Sequence, residues 1–120
     1  MPHCILDYSS NHVDELDIRM LFHDLHTCLM KAWNFKIGDF KSRATVHDEY
    51  WIGDGAVENV FVALVLHVMS GKKESEKKTI CAAAMEVLQK HFQRSLSSQV
   101  TSLSVQVVDV DRSCYFRINS

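Results

Sequence analysis

Val60-Phe61-Val62-Ala63-Leu64-Val65-Leu66 is a run of β-branched and large apolar residues without a single charge. Such a run reads as a central strand buried on both faces of a sheet. Downstream, Ser70-Gly71-Lys72-Lys73 closes the strand with a turn, and Glu74 and Glu76 supply acid at the positive end of a following helix. Ile80, Ala84, Val87, Leu88 and His91 recur at three and four, which gives that helix an apolar stripe. Residues 93–98 lead out of it. Leu103-Ser104-Val105-Gln106-Val107-Val108 then alternates as a half-buried strand, and residues 114–118 read as a short last strand.

Upstream the same order occurs. Met1-Pro2-His3-Cys4-Ile5-Leu6-Asp7-Tyr8 alternates as a first strand. Ser9-Ser10-Asn11 offers caps, and Asp14, Glu15 and Asp17 favour the positive end of a helix. Its stripe is Ile18, Leu21, Leu25, Cys28, Leu29 and Ala32; Trp33-Asn34-Phe35-Lys36-Ile37-Gly38 breaks the period. Residues 40–49 read as a mixed strand carrying Lys41, Arg43 and His47, and Trp51-Ile52-Gly53-Asp54-Gly55 is a turn. Strand, helix, strand therefore occurs twice, in halves of about 1–55 and 56–120 offset by roughly 60 residues. Two βαβ units with right-handed crossovers predict an α+β fold, a two-layer sandwich with a four-stranded mixed sheet and both helices on one face. The uncovered face would carry part of residues 60–66 and 103–108. That is too much apolar area for a monomer to expose, so sheets of neighbouring subunits are expected to cover each other.

A chain of 120 residues suits a single domain spanning 1–120. Its 47% apolar and 23% charged residues are ordinary for a globular protein. A net charge of -2 and a pI near 6.4 argue against nucleic acid or an anionic membrane as partner. The first residues lack the basic and apolar pattern of a secretory signal, and His67 interrupts the longest apolar run, which is too short to span a bilayer. Cys4, Cys28, Cys81 and Cys114 form no CxxC pair and read as reduced thiols of a cytoplasmic protein. His23 and His26 share a helical face at i, i+3, but no third ligand is placed beside them, so no metal site is assigned.

Pro2 is the chain's only proline. At the first residue of a strand a proline costs little, which is its plainest explanation. Methionine aminopeptidases, however, trim Met before a small second residue, and Pro2 would then become the amino terminus. Its secondary amine, held in an apolar pocket beside cations, would titrate below the ordinary α-amino value of about 8. An amine unprotonated near neutral pH can shuttle a proton.

Together these features resemble the tautomerase superfamily, and within it the 5-carboxymethyl-2-hydroxymuconate isomerase branch. The resemblance is carried by Pro2-His3, Ser42-Arg43, Asp54-Gly55, Phe61-Val62, Ser70-Gly71-Lys72-Lys73-Glu74-Ser75, Lys90-His91-Phe92, Leu103-Ser104 and Phe116-Arg117. No one piece is specific, but their order and spacing cover essentially the whole chain. The resemblance implies a homotrimer with active sites at subunit interfaces, no cofactor or metal, and Pro2 as proton carrier. It implies enol-keto tautomerisation of an unsaturated carboxylated 2-hydroxymuconate-type substrate of aromatic catabolism. Lys41 and Lys72 stand where the family's substrate-holding arginines are expected, with Arg43 beside Lys41. A lysine keeps the charge and loses the bidentate fork that arginine offers a carboxylate. Trp51, Phe116 and Arg117 are candidates for completing a neighbouring subunit's pocket. The alternatives are another chemistry on the same scaffold (phenylpyruvate-type tautomerisation, hydration or decarboxylation), or a non-catalytic oligomer in which Pro2 merely starts a strand.

Overall fold

The computed structural model describes all 120 residues. Strand β1 (His3–Ser9) leads to helix α1 (Ile18–Ala32), a 3-10 turn (Ile37–Asp39) and strand β2 (Lys41–His47). Strand β3 (Asn59–Met69) leads to helices α2 (Glu74–His91) and α3 (Gln93–Ser98), strand β4 (Val100–Val110) and a second 3-10 turn (Arg112–Cys114). The sheet order is β2-β1-β3-β4, parallel within each βαβ unit and antiparallel at the β1–β3 seam. The sheet is therefore mixed and built from two like halves, as the repeated pattern predicts.

Strand alternation explains where the core lies. Cys4 and Leu6 on β1 and Val60, Val62, Leu64, Leu66 and Val68 on β3 face the helices and are fully or almost fully buried. Leu21, Leu25 and Leu29 close the core from α1, and Ile80, Ala84, Val87 and Leu88 from α2. Each buried leucine contributes roughly 2 kcal/mol of transfer free energy. No helix is long and apolar enough to cross a membrane.

Four local expectations change. Residues 114–118 form no strand: after β4 the chain makes the Arg112–Cys114 turn and runs on without a ladder partner. Residues 93–98 are helical, because Asp14 caps that turn, accepting from the backbone of Arg94 at 2.9 Å and Ser95 at 3.1 Å. Asp14 thus serves α3, and α1 begins later, capped by Asp17, whose carboxylate accepts from Met20 N at 3.1 Å. Finally, Leu103, Val105 and Val107 pack against the helical core. The uncovered face of β4 consequently presents Ser102, Ser104 and Gln106, and its apolar part narrows to a strip about Ile5, Phe61, Ala63 and Val65.

Candidate active site

Pro2 is buried and precedes the first ladder residue of β1, so its missing N–H leaves no gap in the sheet. Its carbonyl is used: Lys41 N donates to it at 3.2 Å, which fixes the start of β2 against the start of the chain. Parallel register then sets Lys41 opposite His3 and Arg43 opposite Ile5, all on the face without helices. Arg43 Nη1 donates to His3 Nδ1 at 3.1 Å. Burial, then the cations of Arg43 and Lys41, push the His3 imidazole below its ordinary pKa, in keeping with a neutral ring that accepts from Arg43.

Lys72 enters from the turn after β3. Gly71 holds φ at 111°, a region that L side chains avoid, and this sharp reversal returns the chain over the sheet end. Lys72 Nζ donates to Met69 O at 3.4 Å and lies 5.3 Å from the ring centroids of both Trp33 and Phe35. The aromatic faces favour its charge. Burial, and then Arg112, nonetheless lower its pKa, with Asp109 and Glu76 opposing. The Trp33–Phe35 segment, which the sequence marks only as a connection, is thus a wall beside the cation.

A cavity of about 410 Å³ opens at the same end, lined by Met1, Asp39, Met69, Arg112, Tyr115 and Arg117. Burial is the largest influence on the terminal amine and lowers its pKa from 8.0; Asp39 opposes this, and Arg117, Lys41 and Lys72 add to it. Arg117 Nη1 pairs with Asp39 Oδ1 at 3.3 Å, and Arg112 Nε donates to Ser70 O at 2.9 Å. Arg117 therefore sits at the Met1 end of its own chain. Arg112 and Tyr115 were not singled out by the sequence reading, because nothing local in an aperiodic tail tells where it returns.

The remaining candidates lie elsewhere. Phe116 is almost wholly exposed, and Trp51 lies on Gly55 in the loop at the opposite end of the sheet. His23 and His26 line one surface cavity but take different partners: His26 Nε2 hydrogen-bonds Ser42 Oγ at 2.6 Å and stacks on Phe40, whereas His23 lies 3.6 Å from Asp24. Burial pushes the Cys4 thiol up to about 11, so it stays protonated and unreactive at neutral pH. The Pro2 end is thus where an amine, several cations, one carboxylate and a cavity converge, an arrangement suited to moving a proton on an anionic substrate.

Comparison with known proteins identifies the family and the fold. A family model described as 5-carboxymethyl-2-hydroxymuconate isomerase matches residues 2–120. The 5-carboxymethyl-2-hydroxymuconate Delta-isomerase of Escherichia coli is 23% identical over 120 residues, covering 100% of this chain and 95% of that protein. The crystal structure of a 5-carboxymethyl-2-hydroxymuconate isomerase from Deinococcus radiodurans R1 superposes with a TM-score of 0.89 at 27% identity, over 99% of this chain and 90% of that one. A fused 4-OT described as a symmetric trimer shares the fold alone, with a TM-score of 0.71 at 12% identity over 92% of this chain and 87% of that one.

Proposed function

The chain belongs to the 5-carboxymethyl-2-hydroxymuconate isomerase family, and from that premise we propose that it tautomerises a 2-hydroxymuconate-type polycarboxylate of aromatic catabolism, with Pro2 as proton carrier. Once Met1 is removed, the terminal amine becomes the secondary amine of Pro2, one residue deeper. Pro2 is buried beside the same charged groups that act on the Met1 amine, and both burial and neighbouring cations disfavour an ammonium. The neutral amine takes the proton of the substrate's 2-hydroxyl. The O–H pair becomes the C=O bond, the nearer double bond of the diene moves one position along, and the pair of the farther double bond forms the C–H bond as the far carbon takes the proton back from the prolinium. No electrons leave the substrate, so the step requires no redox partner.

Lys41, Arg43 and Lys72 are proposed to hold carboxylates and to favour the developing dienolate, an interaction that strengthens toward the transition state. The active assembly is proposed to be a homotrimer, its sheets meeting over the strip at Ile5, Phe61, Ala63 and Val65. The observation that supports the reading is placement: Pro2 is buried at the end of the sheet where Arg117, Lys41 and Lys72 act on the chain's amino terminus. A second reading, tautomerisation of an aryl keto acid, draws on the Trp33 and Phe35 rings beside Lys72.

Absorbance assays with 5-carboxymethyl-2-hydroxymuconate and phenylenolpyruvate, on protein whose Met1 removal is confirmed by intact mass, separate the two. Fast turnover of the first is expected. Pro2→Ala is expected to lower kcat by about 10² or more without changing the assembly; a fully active variant would remove the mechanism.

A further inference from the structure

The lysines at positions 41 and 72 offer a carboxylate no fork, their ammonium groups are partly committed, and Arg43 spends Nη1 on His3 Nδ1 at 3.1 Å. Lys41 Nζ donates to Asp39 O at 3.4 Å, and Lys72 Nζ is held by Met69 O between two aromatic rings. The cavity beside Met1 is lined instead by two guanidinium groups that reach it from the carboxyl-terminal tail. We infer that Arg112 and Arg117 are the carboxylate fork of this site, and that they select a substrate bearing two or more carboxylates.

The geometry of each arginine suits that role. Arg112 is anchored through Nε to Ser70 O at 2.9 Å, so its two terminal nitrogens, unbonded within the chain, are presented on a positioned plane. Arg117 spends one nitrogen on Asp39 at 3.3 Å and keeps its others free. A planar, permanently charged fork engages both oxygens of a carboxylate, which an ammonium does not. Asp39 competes for Arg117, so an arriving carboxylate must displace it or share the guanidinium. Tyr115 lies between the two arginines in sequence and lines the same cavity.

The inference rests on the isomerase reading for its substrate but is testable apart from it. The probe is cis,cis-muconate, a dicarboxylate without the 2-hydroxyl and hence without the reaction. Its dissociation constant is measured by titration calorimetry on the assembled, Met1-free protein, with circular dichroism and light scattering to confirm fold and assembly. Arg112→Gln and Arg117→Gln are each expected to weaken binding roughly tenfold or more. Arg112→Lys should recover only part, because charge returns without the fork, while Asp39→Asn should tighten binding by freeing Arg117. In turnover, the Gln variants should raise KM for 5-carboxymethyl-2-hydroxymuconate more than for phenylenolpyruvate. Muconate bound equally by wild type and both Gln variants, or not bound saturably by wild type, would overturn the fork. An inactive wild type that still binds muconate through Arg112 and Arg117 would remove the proline chemistry and leave the fork in place. Full isomerase activity with unchanged KM in Arg112→Gln would do the reverse.

Discussion

Asp39 has two effects at the Pro2 end: it pairs with Arg117, and it favours the protonated form of the terminal amine. Burial and the surrounding cations outweigh it, so the amine lies below 8.0. If the Pro2 amine freed by Met1 removal is the working base and it meets the same field, kcat/KM rises with pH along a limb set by that amine and lowered by burial and the nearby cations. Asp39→Asn takes away the one charge that supports the ammonium, and the limb is expected to move to lower pH. Rate profiles of wild type and variant check this; a limb displaced upward would contradict the assigned field. At this scale the pattern of the sequence places Pro2 and Lys41 at strand starts, Arg43 on the same face as Lys41 and Lys72 in a turn, while the roles given to them come from the family resemblance. It does not make Arg112 or Tyr115 legible, nor the pairing of His3 with Arg43, since these depend on where a tail or a neighbouring strand comes to rest.

At the scale of elements, α1 and α2 are tied across their shared layer by Asp24, which accepts from His91 Nε2 at 2.8 Å and from Lys90 Nζ at 3.0 Å. His91, and then Lys90, hold its carboxyl down from 3.8 to about 2. A carboxyl whose pKa falls on folding stabilises the native state fully above its unfolded value and ceases to do so as the pH drops through the folded one. Asp24→Asn should therefore lower the thermal midpoint at neutral pH, with the gap to wild type closing as pH falls from 3.8 towards about 2. Equal midpoints at neutral pH would show that the pair does not hold the helices together. The apolar run at 60–66 and the two helical stripes announce their elements because each period is local. Residues 114–118 carry strand-like residues and still form no strand, because a strand needs a neighbour with free backbone groups, and residue types alone do not supply one. Asp14 misleads for the same reason: its capping partners lie about eighty positions later, in α3.

For the whole molecule, the order β2-β1-β3-β4 leaves one sheet face without helices. Ile5, Phe61, Ala63 and Val65 lie half-buried there beside the polar Ser102, Ser104 and Gln106. If this face is the subunit contact, Val65→Asp places a charge in a dry interface and should yield monomers with unchanged helical circular dichroism, measured by light scattering after gel filtration. An oligomer that survives the change would move the contact elsewhere. The repeat of two βαβ units was readable because it is written twice. The composition of the free face was not, because a shift of one residue along β4 exchanges serines for leucine and valines.

Met1 and Arg117 line one cavity, so the two ends of the chain meet at the candidate site. This bears on how the protein is handled. If Pro2 and the arginine tail act as proposed, an affinity tag on the front would cap the proline nitrogen and one on the back would crowd the tail, and either fusion is expected to give well-folded protein that reads as inactive. Dyes, surfaces and fusion partners belong instead in residues 48–58, the loop at the far end of the sheet, where Trp51 and Val57 already face solvent.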